Sequence, residues 1–406
     1  MKSGLLIEEL YLLSFLKQAL TGSPKGEPLD DNGLTEKQWS LMINLAEKHG
    51  VLSLLYDVLS ETEGLPTDLF DKVKKVSRSI VLQNYRLLYI SNDIVHLLEK
   101  EGIPVILLKG VGTASLYPVP ELRKSGDVDI LLGNMKDKDK AFEILKANAY
   151  KMKDKQHSNH HVEFASREGV VIEVHTMLAE PFDNQQVNDY LETLVIDYQR
   201  SKQYKEIIGS TLPIPGEAFH AFYLLVHMLQ HFLRAGFGLK LLCDWVVLWN
   251  REMDEEERQI YSKLVKECGL TGFSDRVSAV CATYLGLDKT KIDFYQPDSL
   301  SSEVTEDFIK EIIEAEEFGR SAKDRMVLVT DTSILGYVRE FHHQMHLNYP
   351  KAGRCFFLWP VLWLLTLMIF LNNNRKIRKV SARAIFLKAK KRSRNVKAMK
   401  LFEIEK

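Results

Sequence analysis

The chain has 406 residues, 45% hydrophobic and 27% charged, enough to bury large cores across two or three domains. Its four cysteines, Cys243, Cys268, Cys281 and Cys355, are scattered with no CxxC spacing, which argues against a disulfide framework and for reduced thiols in a cytosolic protein. Glu8 and Glu9 interrupt the apolar start, so no secretory signal is expected, and the net charge of −1 conceals an asymmetry: residues 373–406 carry 13 Lys/Arg against 2 Asp/Glu, the remainder 41 against 53.

Residues 1–101 read as a helical N-terminal region. From Glu36 to Val58, the residues Trp39, Met42, Leu45, Ala46, His49, Leu52 and Leu55 recur at spacings of three and four, which predicts one buried helix face. Thr35 is its expected N-cap, with Gln38 completing a capping box. A second helix is expected over Asp71–Glu101, stopped by Gly102 before Pro104 opens the first strand.

Between 102 and 210 the period changes. Val105–Leu108, Asp127–Leu132, Val162–Ala165 and Val170–Val174 are short β-rich runs, Lys136–Ala147 is an amphipathic helix, and Ser166–Gly169 is a hairpin turn. This mixture predicts a small mixed sheet within an α+β fold. Residues 211–335 return to helices, best seen at Glu217–Phe232, Leu239–Asn250, Glu255–Glu267 and Glu303–Glu316. Residues 336–406 hold an apolar segment and a basic tail.

The chemistry concentrates around Lys109-Gly110 and Asp127-Val-Asp129. Residues i and i+2 of a strand project to one face, so Asp127 and Asp129 stand side by side while Val128 and Ile130 enter the core. Paired carboxylates repel unless a cation neutralises them, and a glycine turn before a helix offers backbone N–H groups to a phosphate. Glu173, a lone acid in the apolar strand Val170–Val174, fits as a third carboxylate, since burying it is costly unless it is paired or metal-bound. In phosphoryl transfer, Asp127 and Asp129 would bridge Mg²⁺ (or Mn²⁺) ions, with Glu173 completing the shell or acting as base. The structural alternatives are a strand-cap role for Asp127 and a salt bridge for Glu173.

Other residues admit two roles each. Lys109 either neutralises phosphate or snorkels at a strand end. Arg123 either clamps a phosphate or pairs with the aspartates when no metal is bound. His175 shares a strand face with Glu173 and either serves the acceptor side or is a satisfied core histidine. His227 and His231, four apart on one helix face, suit an acceptor pocket, core hydrogen bonding or, less well, a metal that lacks a third ligand. The histidines of His157-Ser-Asn-His160-His161 lie in an expected polar loop, from which His160 or His161 could point toward the site although loop histidines are mostly solvated, and Trp245 and Trp249 read as core.

The pattern Leu107-Leu-Lys109-Gly110, Leu116-Tyr117, Arg123, Asp127-Val-Asp129 and Glu173-Val-His175 resembles the uncharacterised nucleotidyltransferase family of the DNA polymerase beta-like superfamily. Leu224-Leu-Val-His227, Gln230-His231, Gly238–Leu242, Asp244-Trp245, and upstream Trp39 and Ala46–His49, extend it over roughly residues 35–250. The resemblance implies a small mixed sheet flanked by helices, Mg²⁺ dependence, transfer of an NMP from an NTP, and a setting in bacterial surface-polysaccharide metabolism. One departure stands out: better characterised superfamily members carry Gly-Ser at the turn, where this chain has Lys109-Gly110, and Ser115 lies further along. Two alternatives therefore accompany the enzyme: a catalytically inactive nucleotide-binding or scaffold protein at the membrane surface, and a nucleotidyltransferase acting on protein or RNA.

Cys355–Leu371 is seventeen residues without a charge. At about 1.5 Å per residue it spans only ~25 Å, short of a ~30 Å hydrocarbon core. A crossing would also strand the body on the side opposite the basic tail, away from NTP. An in-plane anchor with Trp359 and Trp363 at the interface, followed by a basic amphipathic stretch, fits an anionic membrane at its cytoplasmic face. A helix buried on the body and a nucleic-acid-binding tail are the alternatives; sparse aromatics count against the second.

Overall fold

In the computed structural model the described residues are 4–22, 33–153, 161–182, 184–234, 236–292 and 300–315, parts of 338–373, and 397–403. The chain opens with helices α1 (Ile7–Thr21) and α2 (Glu36–Lys48), and Thr35 caps α2 through the reciprocal bonds with Gln38. The helix expected to run to Val58 instead ends at Lys48. His49 is buried and pinned from two sides: its Nδ1 accepts from the Leu239 N–H at 3.2 Å, which leaves Nε2 to donate to the Ile313 carbonyl at 3.2 Å. Gly50 then takes φ +67°, and Leu52–Leu55 form a 3-10 turn leading into α3 (Tyr56–Ser60). The 34-residue α4 (Thr67–Lys100) follows, ending before Gly102 at φ +75°.

Strands β1 (Val105–Leu107), β2 (Asp127–Leu132), β3 (Lys151–Met152), β4 (His161–Ala165) and β5 (Val171–His175) form a sheet in the order β1-β2-β5-β4-β3. Only β2 and β5 pair in parallel. The short α5 (Val111–Ala114) follows the glycine turn after β1, and α6 (Lys138–Ala147) follows β2. The Ser166–Gly169 hairpin forms as expected, with Gly169 at φ +79°. The fold is α+β.

The two faces of the sheet meet different partners, because side chains alternate along each strand. Val105, Leu107, Val128, Ile130, Leu132, Phe164, Ile172 and Val174 form one core with α4 and α6. Ile106, Leu108 and Leu131 face the other way, into the larger helical core. That core gathers α1, α2, α7 (Gln185–Ser201), α8 (Glu217–Arg234), α9 (Leu239–Trp249), α10 (Glu255–Glu267), α11 (Thr271–Val280) and α12 (Ser302–Ala315). Trp245 and Trp249 are buried there. The polar residues of interest sit in the seam between sheet and helical body.

Two packing features join segments that are far apart in the chain. Helices α1 and α2 pack in the helical core, while α4 spans both, its first half through Val73 on the helical core and its second half through Leu87–Leu98 on the sheet-side core. A hairpin of β6 (Gln203–Ile207) and β7 (Ser210–Ile214) straddles the expected boundary at 210, and Ile207, Leu212 and Ile214 belong to the sheet-side core.

Near the C-terminus a 3-10 turn (Phe356–Leu358) leads into α13 (Trp359–Asn373). Among the described residues no helix is long and apolar enough to cross a membrane. Trp359 and Trp363 turn toward His342 and His346: the Trp363 indole N–H donates to His342 Nδ1 at 3.3 Å, and the His342 and Trp359 rings lie 4.4 Å apart. The opposite side exposes Phe356, Phe357, Val361, Leu364, Leu367 and Met368. The basic stretch 374–396 lies outside the described residues, but Met399 is buried against the helical body and the Phe402 N–H donates to the Gly269 carbonyl.

Candidate functional site

Strand register places the polar residues. Asp129 pairs with Glu173 across β2 and β5, and Glu173 pairs with Glu163 across β5 and β4. Leu131 and His161 flank His175 in the same way, so Asp127, Asp129, Glu173, His175, His161 and Glu163 share one face. This is the face that meets the helical body.

Single oxygens of Asp127, Asp129 and Glu173 lie within 4.8 Å of one another. Asp129 is fully buried; its Oδ1 stands 3.0 Å from Lys109 Nζ and 3.2 Å from His175 Nε2. Its Oδ2 is buried with no hydrogen-bond partner among the described residues. Lys109 Nζ also reaches Asp127 Oδ2 at 3.6 Å, and His175 Nε2 lies 3.4 Å from Glu173 Oε2. Three carboxylates with oxygens this close, one of them carrying a buried oxygen without a hydrogen-bond partner among the described residues, are the donor set a hard divalent cation takes, so these residues fit such an ion.

The electrostatics follow from burial opposed by pairing. Burial works against the Lys109 ammonium, yet Asp129 and Asp127 hold its pKa well above the usual lysine value. Burial also raises Glu173, but the hydrogen bond from His175 and the charge of Lys109 bring it down to about 2. His175 moves up: desolvation opposes its protonation and the bonds to Asp129 and Glu173 outweigh it.

Gly110 adopts φ +67°, and a Cβ there would stand 3.1 Å from the Asp127 carbonyl, so the turn demands glycine. Arg123 sits behind this turn. Its Nε and Nη2 each donate to the Asp244 carboxylate at 2.7 Å, while Nη1 donates to the Gly110 carbonyl at 3.2 Å and to Ser125 Oγ at 2.9 Å. The Tyr117 hydroxyl donates to Asp244 at 2.6 Å, completing a buried cluster. Of the two roles expected for Arg123, pairing with Asp127 or Asp129 is not the one seen: Lys109 takes that position, because Asp244 on α9 already holds the guanidinium.

Helix α8 forms the wall opposite the sheet. Tyr223, His227 and His231 succeed one another along it, with ring centroids 6.0 and 4.5 Å apart. Burial, then the neighbouring Lys109 and Lys240, lower His231 to about 4, and burial followed by His231 and Lys109 lowers His227. Both are therefore neutral imidazoles near the carboxylates, and among the described residues no third ligand gathers with them. His157 and His160 lie outside the described residues; His161 is the first residue of β4.

Several residues of the seam escaped sequence reasoning. Asp244 carried a usable signal, a lone acid inside the apolar helix Leu239–Trp249, which is costly without a partner. Glu163 alternates with Val162 and Phe164, and only the register with β5 shows whom it meets; His161, considered for the site from the sequence, is likewise placed by that register. Tyr223 and Lys240 had no local signal.

A family model described as an uncharacterised nucleotidyltransferase matches residues 35–286, more than half of the chain. Among solved structures, the chain is similar to the crystal structure of an antigenic nucleotidyltransferase-like protein from Paracoccidioides brasiliensis, at 15% identity over 50% of this chain and 93% of that one, with a TM-score of 0.31. No curated protein matches the chain.

Proposed function

We propose that this chain, a member of the uncharacterised nucleotidyltransferase family, transfers a nucleoside monophosphate from an NTP to an acceptor hydroxyl in a metal-dependent reaction. The observation that carries the reading is Asp129, buried between Asp127 and Glu173 with one oxygen unpartnered among the described residues. Asp127, Asp129 and Glu173 would hold Mg²⁺ or Mn²⁺. Bound there, the cation supplies charge neutralisation for the triphosphate and acidifies the acceptor hydroxyl. The acceptor oxygen attacks the α-phosphorus, the bond to the bridging oxygen breaks, and pyrophosphate departs. Glu173 either takes the hydroxyl proton or completes the cation's ligands. Lys109 and the Gly110 turn receive phosphate, Arg123 holds that turn in place through Asp244, and His175, His227 and His231 line the acceptor side.

The exposed apolar side of α13, with the basic residues after it, supports attachment to an anionic membrane surface at the face where NTP is present. A second reading, an inactive nucleotide-binding or scaffold protein, draws on Lys109, whose ammonium already stands among the carboxylates.

Calorimetry separates the transferase from a scaffold that binds no nucleotide, and transfer of α-phosphate label from NTP into an acceptor separates it from an inactive nucleotide-binding protein. Mg²⁺-dependent NTP binding by the wild type, lost in the Asp127→Asn/Asp129→Asn variant, is the expected result. A folded wild type that binds no NTP with or without Mg²⁺ refutes the transferase reading.

A further inference from the structure

The face that carries the three carboxylates carries a second group. His161 and His175 are direct cross-strand partners on β4 and β5, and Glu173 stands on the same face, two residues before His175. The Glu173 carboxylate lies between the two imidazoles: Oε2 is 3.4 Å from His175 Nε2, and Oε1 is 3.8 Å from His161 Nε2. One donor atom from each of the three residues falls within 4.8 Å of the others. A tetrahedral ion with bonds of about 2.0–2.1 Å sets its ligands about 3.3 Å apart; His175 Nε2 and Glu173 Oε2, at 3.4 Å, already stand at that spacing, and His161 Nε2, 3.8 Å from the other Glu173 oxygen, needs a small inward shift to join them. His175 and Asp129 are buried, whereas His161 and Glu173 retain partial exposure, which leaves a way in.

We propose that His161, His175 and Glu173 form a distinct binding site for a borderline-soft transition-metal dication of the Zn²⁺ class, sharing Glu173 with the all-oxygen carboxylate site. Two imidazoles and one carboxylate discriminate against Mg²⁺, which prefers oxygen ligands and keeps its waters. They suit Zn²⁺ or Co²⁺, which take nitrogen donors readily. The charge inventory is consistent. Glu163 has Lys153 at 2.8 Å and Asp127 and Asp129 share Lys109, while Glu173 faces His175 and feels the charge of Lys109, so a dication held by the His175 ring takes over the counter-charge beside Glu173. His175 would exchange its contact with Asp129 for the metal, leaving the Asp129 carboxylate to Lys109 or to a hard cation. Neighbouring sites of different hardness, joined by one carboxylate, would give the protein a two-metal centre with unlike ions. The proposal rests on this geometry alone and stands whether or not the protein transfers nucleotides.

Cobalt titration of the full chain tests it, because Co²⁺ bound by imidazoles absorbs in the visible and Zn²⁺ does not. The expected result is one Co²⁺ per chain with a d–d band that stoichiometric Zn²⁺ bleaches and excess Mg²⁺ does not. His161→Gln should weaken Co²⁺ binding by at least ~10-fold, the lower end of what even outer-shell partners contribute. Asp127→Asn should keep the band while losing Mg²⁺–NTP binding, which separates this site from the nucleotide reading. An absent band, a band bleached by Mg²⁺, or one unchanged in His161→Gln overturns the proposal. If His161→Gln does not fold, anomalous diffraction from crystals of Zn²⁺-loaded wild type decides: a peak bonded to His161, His175 and Glu173 supports it, and zinc found elsewhere overturns it.

Discussion

The Lys109 ammonium lies 3.0 Å from Asp129 Oδ1, deep in the seam between sheet and helical body, and forms the internal counter-charge of the carboxylate site. It occupies the neighbourhood a divalent cation would use, so the two positive charges compete. Lys109→Met removes one competitor and leaves Asp129 buried without its ammonium. Breaking a buried pair from one side costs about 3–5 kcal/mol, so the variant should melt well below the wild type in the presence of chelator. Mg²⁺ should restore much of the loss, and calorimetry should show tighter Mg²⁺ binding without nucleotide. A Lys109→Met protein that melts like the wild type in chelator, with no response to Mg²⁺, contradicts this role.

Asp129→Asn changes one oxygen to an amide nitrogen and keeps the volume. Under the transferase reading it should abolish nucleotide transfer while the far-UV circular dichroism stays that of the wild type. A folded Asp129→Asn protein that still transfers nucleotide rules out Asp129 as a metal-holding carboxylate.

The Arg123–Asp244 pair predicts a stability effect remote from the carboxylates. Asp244→Asn leaves the guanidinium buried without its counter-charge, at a cost of about 3–5 kcal/mol, visible as a large fall in denaturation midpoint. In the wild-type background Arg123→Lys should not keep the stability either, because an ammonium cannot hold Asp244 in a bidentate pair and reach Gly110 and Ser125 as well. Equal stability of wild type and Asp244→Asn would show that the cluster does not brace the turn.

Acid should weaken the fold through His220. Burial depresses its folded pKa to about 4 from 6.5, and Nε2 lies 3.0 Å from the Thr113 hydroxyl. The unfolded chain therefore binds the proton first. The stability held by neutral His220 is complete above pH 6.5 and is lost as pH falls from 6.5 through about 4, by an upper bound of about 3 kcal/mol. Urea midpoints measured across that window should fall less steeply for His220→Gln, which cannot titrate. Parallel curves for the two proteins would remove His220 as the cause.

Membrane attachment predicts that the full chain co-sediments with anionic vesicles and that deleting 355–406 abolishes this. Binding should weaken as salt rises if the basic tail contributes, since surface attraction is screened within about 10 Å at 0.1 M. Equal sedimentation by the truncated chain would dismiss the anchor.

The sequence by itself determined the local elements and nominated the residues proposed for the chemistry. Thr35 and Gln38 announced a capping box, the Asp127–Leu132 strand was legible to its ends, and Glu255–Glu267 ran as its periodicity required, because caps, alternation and helical period act between residues close in the chain. Asp127, Asp129 and Glu173 could be nominated because an acid in an apolar strand demands a partner wherever it folds. Partners were another matter. That His49 ends α2 depends on Leu239 and Ile313, that Arg123 belongs to Asp244 depends on α9, and that His161 meets Glu173 depends on β4 adding to β5 in one register. Each of these pairings joins residues far apart in sequence, or strands whose register local pattern does not set. Only the tertiary structure chose among the available partners, because burial in the seam made each polar group take the neighbour that packing brought within reach.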